Sequence, residues 1–98
     1  MTTDEHFEII EEKLGQLLMA LTSFSKSQKN EVQDFIDAGE YGLAVETGFQ
    51  IVLEENKHIS EQAFGLFREL VEAMEVQESV DISQLSQHVS RTRKLDER

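Results

Sequence analysis

Apolar side chains recur along most of this chain at helical intervals. Phe7, Ile10, Leu14, Leu17, Leu18 and Leu21 step by three, four, three, one and three residues, which lays one apolar stripe along a helix. The spacing predicts a first helix over about 4–21. Thr2 or Thr3 can cap it, with Glu5 in the capping-box position after Thr2. Glu5, Glu8, Glu11 and Glu12 fill its first half, where carboxylates suit the positive end of the helix dipole. Gly15 weakens its middle. The stretch Ser23 to Ser27 reads as a short loop, and Ser25 with Gln28 offers a second capping box. A second helix follows over about 26–37. Val32, Phe35 and Ile36 face inward on it, and Glu31, Asp34 and Asp37 share the outer side. Gly39 stands just past its end, where a left-handed residue closes many helices.

The third helix, about 41–55, is the centre of the predicted architecture. At about 100° per residue, Glu46, Thr47, Gln50 and Glu54 fall on one narrow stripe, and almost every other side chain is apolar or small. A helix with so thin a polar face is mostly buried, so the other helices should pack around it. Ala44, Gly48 and Val52 lie one above another. Glycine inside a helix costs roughly 1 kcal/mol against alanine, which points to a crossing helix at close approach to Gly48. Asn56, Lys57 and His58 end the element. Ser60 is a good N-cap, with Glu61 in the first turn of a fourth helix that runs to about Met74. Ala63, Phe64, Phe67, Leu70, Val71 and Met74 should face inward on it, and Arg68, Glu69, Glu72 and Glu75 outward; Gly65 is its weak point. Val76 to Val80 follows no one period. A weaker fifth helix from Asp81, with Gln84 at the third helical position, is open; Ile82, Leu85 and Val89 are its only anchors. The expected fold is all-α: a compact bundle of four main helices, or five with that short addition.

Ninety-eight residues without cysteine or proline suit one helical domain, with neither disulfide staples nor the usual helix breaker. A chain of this length buries roughly two-thirds of its unfolded surface. Residues 1–90 are read as that domain and 91–98 as a frayed basic tail. The net charge of −11 is unevenly spread. Arg91, Arg93, Lys94 and Arg98 against Asp96 and Glu97 make the tail +2, which leaves −13 on residues 1–90. Such a domain repels DNA, RNA and anionic lipid; its charge either suits a basic protein partner or simply keeps the protein soluble and monomeric, and the second is the default for an acidic chain. The N-terminus lacks the basic and apolar regions of a signal peptide, and no run approaches the roughly 20 apolar residues of a membrane span. The expected location is the cytosol.

Catalysis needs a nucleophile with a base, a metal cluster or a cofactor loop. His6, His58 and His88 lie in separate segments, and none has a His or Cys partner at ligand spacing. His58 with Glu61 is the nearest approach to a ligand pair, and it reads as two solvent-facing side chains at a helix start. Gly39 and Gly42 read as corner residues, not as a phosphate cradle, because no strand precedes them. The chain is therefore expected to be no enzyme and to hold no metal or cofactor. What remains is binding, through exposed carboxylates around a few aromatics. Tyr41, the one tyrosine, stands at the corner beside Glu40, either as a contact residue or with its ring tucked beneath the corner.

The segment Val32 to Phe49, VQDFIDAGEYGLAVETGF, followed by Ile59-Ser60-Glu61, is similar to a known family pattern. That pattern is a hydrophobic helix end, an acidic corner, a long apolar helix, then an Ile-Ser helix start with a phenylalanine soon after. It resembles the small all-helical immunity proteins of bacterial polymorphic toxin systems, including those of the Maf type and several from contact-dependent growth inhibition loci. The resemblance covers roughly residues 30–75. The chain departs from it in carrying Val45 and Gly48-Phe49 where leucines are more usual. The resemblance implies a protein that binds the C-terminal toxin domain of a sibling or self-delivered effector, commonly a ribonuclease, and blocks it. A nuclease site that attracts phosphate is basic, and an acidic helical protein can cover it. The expected interface is Asp34, Asp37, Glu40, Tyr41 and Glu46, with Glu54 next. The rival reading is a helical adaptor of a cytosolic assembly, with an exposed apolar patch at Phe24, Ile82 and Leu85 as its binding face.

Overall fold

The structure is a computed structural model that describes residues 2–76 and 80–89, with the backbone alone for 2–6. Five α-helices succeed one another: α1 (Thr2–Ala20), α2 (Lys26–Asp37), α3 (Tyr41–Glu54), α4 (Glu61–Met74) and a single turn, α5 (Ile82–Leu85), continued by a 3-10 turn over Ser86–His88. The class is all-α, with four main helices packed together. Among the described residues the only extended pairing is an isolated parallel bridge between Ile59 and Val89. No described helix is long and apolar enough to cross a membrane.

Local chemistry explains where these helices start and stop. The Ser25 hydroxyl accepts from the Gln28 N–H at 3.1 Å, and the Gln28 side chain accepts from the Ser25 N–H at 2.9 Å, a complete capping box. Ser60 caps α4 by accepting from Ala63 N–H, and the Asp81 carboxylate caps α5 by accepting from Ser83 N–H. The expected cap of α1 by Thr2 or Thr3 with Glu5 lies outside the described side chains, and the backbone is already helical at Thr2. Three helices end in a left-handed residue: Gly39 after α2 (φ 77), Asn56 after α3 (φ 51) and Glu75 after α4 (φ 57). After α2, Glu40 N–H donates to Phe35 C=O at 2.8 Å and Gly39 N–H to Ile36 C=O at 3.0 Å. Those paired bonds are the Schellman closure; it repeats after α3, where Lys57 N–H reaches Val52 C=O.

α1 packs chiefly along α4, and α2 along α3, while α3 touches all four other helices. Its buried face is Ala44, Val45, Gly48, Phe49 and Val52. The ring of Phe67, fully buried on α4, passes within 3.4 Å of where a Cβ on Gly48 would stand. That is the close crossing that the glycine predicts. Lys13 of α1 pairs with Glu69 of α4 at 2.9 Å, consistent with antiparallel packing; at such exposure the pair contributes under about 1 kcal/mol. At the opposite end from Tyr41, three segments are tied by polar bonds. Ser23 Oγ donates to His58 C=O, Lys57 Nζ donates to Ser23 C=O, and His88 Nδ1 meets Lys57 C=O at 3.0 Å, so that nitrogen carries the proton.

Several side chains depart from their expected places. Phe24, in the first loop, is 6% exposed, Leu85 is fully buried and Ile82 is half-buried, so the apolar patch of the adaptor reading is core. Leu66 joins the α4 core, while Phe64 and Met74 are only partly buried. Phe35 is likewise half-buried. Val80, in the segment without a clear period, is buried. Phe7 is 47% exposed although it lies on the core-facing side of α1. The basic tail 91–98 lies outside the described residues.

The glycines and helix ends give a direct test. No heavy atom lies within 4 Å of a Cβ built on Gly15 or Gly65, so Gly15→Ala and Gly65→Ala should each raise the unfolding free energy by about 0.5–1 kcal/mol. Gly48→Leu drives its side chain into Phe67 and should cost about 1–3 kcal/mol. Urea denaturation of the three variants measures all of these.

Candidate protein-binding surface

The expected interface residues are carried by the α2–α3 hairpin. A three-residue corner separates the two helices, so α3 returns alongside α2. On α2 the buried residues are Val32 and Ile36. Asp34 and Asp37 point away from them and are exposed. Glu40 is exposed at the N-cap of α3, where its side chain makes no capping bond. Glu54 is exposed and Glu46 half-buried on the outer stripe of α3. Tyr41 and Glu54 stand thirteen residues apart, which is about 20 Å along the helix. The six residues thus do not form one cluster. Asp34, Asp37, Glu40 and Tyr41 gather toward the corner, and Glu54 lies at the far end.

Beyond Lys26 and Lys29 in the first turn of α2, the charge on this hairpin is of one sign. Between Lys29 and Lys57 the chain carries Glu31, Asp34, Asp37, Glu40, Glu46, Glu54 and Glu55, and no Lys, Arg or His. Asp37 accepts a hydrogen bond from the Gln33 amide at 2.9 Å. Asp34, Glu40, Glu46 and Glu54 make no side-chain hydrogen bond or ion pair among the described residues. These carboxylates are therefore balanced by solvent, not by the fold, and they add up to a local negative field. Leu43 breaks this face with an apolar side chain. At 100° per residue it falls between Gln50 and Glu54 on the outer stripe, and it is 43% exposed. Its residue type alone groups it with the apolar positions of a buried helix; its angle on the helical wheel is the signal that it stands among the carboxylates.

Tyr41 is tied to α1, not to the hairpin. Its half-buried ring meets that of Phe7 with centroids 6.1 Å apart and planes tilted by 51°. Its hydroxyl donates weakly to Glu11 Oε1 at 3.5 Å. Partial burial, then the Glu11 charge and that hydrogen bond, hold the phenol above its ordinary pKa of 10.0. Sequence reasoning does not pair Phe7 or Glu11 with Tyr41, because thirty or more residues separate them in the chain.

Elsewhere the surface offers little chemistry. A shallow depression of about 280 Å³ on the α1–α4 side is lined by Gln16, Met19, Ala20 and Gln62, none of which titrates. Among the described residues no group of three or more His, Cys, Asp or Glu is placed to hold a metal ion. No family model, no curated protein and no solved structure matches this chain.

The raised phenol is testable directly, because the chain has one tyrosine and no tryptophan. Phenolate absorbance should titrate above pH 10, and Glu11→Gln should move the midpoint down. The folded state holds the Tyr41 proton more tightly than the unfolded state does. Its contribution to stability is therefore full below pH 10 and is lost as pH rises through the folded midpoint.

Proposed function

We propose that this chain is an immunity protein: a non-enzymatic, cytoplasmic inhibitor that binds a cognate bacterial toxin domain and covers its basic, nuclease-type active site. The observation that carries the reading is the α2–α3 hairpin, whose span from Lys29 to Lys57 holds seven carboxylates and no cationic side chain between those two lysines. Asp34, Asp37, Glu40 and Glu54 are exposed on it. A surface of that sign speeds encounter with a basic cleft and repels nucleic acid and anionic membrane. Leu43, exposed among the carboxylates, supplies the apolar contact that charge alone lacks, since affinity comes mostly from desolvated anchors. The likeness of residues 32–49 to the acidic corner of small helical immunity proteins supports the same reading. The adaptor alternative loses its surface, because Phe24 and Leu85 are core.

The deciding experiment is co-expression with the toxin domain encoded immediately upstream, scored by growth and by co-purification. Rescue with a stable complex is expected. Folded proteins with neither rescue nor complex would sink the proposal. Within a complex, joint replacement of Asp34, Asp37 and Glu40 by lysine should weaken binding about 100-fold or more, which corresponds to about 3 kcal/mol. The association rate should also lose most of its salt dependence. Leu43→Ala should cost about 1–2 kcal/mol of binding and little stability. Unchanged dissociation constants in both variants would move the interface off this hairpin.

A further inference from the structure

After α4 the chain turns back along the bundle. Val80 N–H donates to Val76 C=O at 3.0 Å, and Val76 lies beside the start of α3, its Cγ1 3.8 Å from where a Cβ on Gly42 would stand. Ile59 N–H donates to His88 C=O at 2.9 Å, beyond the other end of α3. Residues 80–89 therefore run the length of the seam between α3 and α4, about 20 Å, and α5 within them touches both helices. Between those two bonds, no described backbone group of the segment is bonded to a main helix. Its other bonds are internal: Gln84 N–H donates to Asp81 C=O, the Asp81 carboxylate accepts from Ser83, and the Ser86 hydroxyl donates to Ser83 C=O. One side-chain bond strengthens the far end, from His88 Nδ1 to Lys57 C=O at 3.0 Å. Val80 and Leu85 are buried, and Ile82 and Val89 half-buried. Asp81, Ser83, Gln84 and Gln87 are exposed. A helix of four residues has no stability of its own in water.

We propose that residues 80–89 are a strap that opens as one unit while α1 to α4 stay packed. Few buried side chains and few backbone bonds place a segment at the low-stability end of a fold. The strap has one backbone bond at each end, a histidine latch and two buried anchors. The packing of α1 on α4, of α2 on α3, and of Gly48 on Phe67 involves none of its residues. Leu85 sits midway between the two tied ends, so losing its burial frees both. Opening bares apolar side chains of α3 and α4 along the seam. The chain thus has two forms that differ by one apolar groove, whatever the hairpin binds.

Native-state hydrogen exchange of the full chain, followed by NMR in low concentrations of urea, tests the strap. The Ile59 and Val80 amides report on its two ends, and the Val52 and Leu70 amides on the cores of α3 and α4. Ile59 and Val80 should share one opening constant, at least about 10-fold larger than that of Val52 and Leu70, with a smaller urea dependence. Leu85→Ala should raise exchange at both ends by about 30-fold or more, while helical circular dichroism and a cooperative unfolding transition are kept. His88→Ala should raise it several-fold at both ends, and His88→Asn, whose amide can still donate to Lys57 C=O, should restore much of the protection. Exchange of Ile59, Val80, Val52 and Leu70 in a single step overturns the strap, because the segment then opens only with the whole fold. Unequal opening at the two ends overturns it as well, since that is fraying. So does His88→Ala accelerating Val52 and Leu70 as much as Ile59, a result readable even where Leu85→Ala fails to fold.

Discussion

The contact of Gly48 with Phe67 sets which side of α3 is core and which is surface. A fully buried ring from α4 comes within 3.4 Å of where a Cβ on Gly48 would stand, which leaves no room for a side chain much larger than alanine, so the two helices cross at close range. That crossing turns Ala44, Val45, Phe49 and Val52 into the core. The opposite stripe, with Leu43, Glu46, Gln50 and Glu54, is thereby committed to the outside. The glycine's cost of roughly 1 kcal/mol in helix propensity is offset by the packing of a whole aromatic ring. No charged or polar side chain is buried among the described residues, and no buried side-chain N or O lacks a partner there. Every described carboxylate is thus left at the surface, where salt screens its field.

The hairpin of α2 and α3 carries its charge for a related reason. Its inner faces are satisfied by apolar contact, so nothing in the fold requires cations between Lys29 and Lys57. From Asn30 to Asn56 the chain carries one sign of charge over most of two packed helices, with Leu43 exposed in its midst.

Much of the helical layout is legible in the sequence. Both ends of α2 and the start of α4 follow from Ser25, Gly39 and Ser60, because capping chemistry is local and needs no knowledge of the rest of the chain. The solvent-facing side of α2 and the exposed glutamates of α4 follow from period alone. Phe24 reads as surface because it lies in a loop with no periodicity to read, and Leu85 reads both as an anchor of a weak fifth helix and as part of an exposed patch; both are drawn under the bundle by the segments that meet there. Val80 is unreadable for the same reason.

What the sequence determined by itself was therefore the helices, their caps and the uniform sign of the charge on residues 30–56, since each is a property of neighbours in the chain. It also pointed to Gly48 as a crossing point, from its place in line with Ala44 and Val52 on a mostly apolar helix, although the glycines at 15 and 65 show that an interior glycine need not mark one. What only the tertiary structure decided was exposure. Helical period gives a side chain's direction about its own axis, but burial depends on whether another element reaches that height. Phe7 points inward and is left half open at the bundle's end; Leu43 is apolar and stands outside. The meeting of Tyr41 with Phe7 and Glu11 is of the same kind, since residues on α1 and α3 become neighbours only when the bundle has closed.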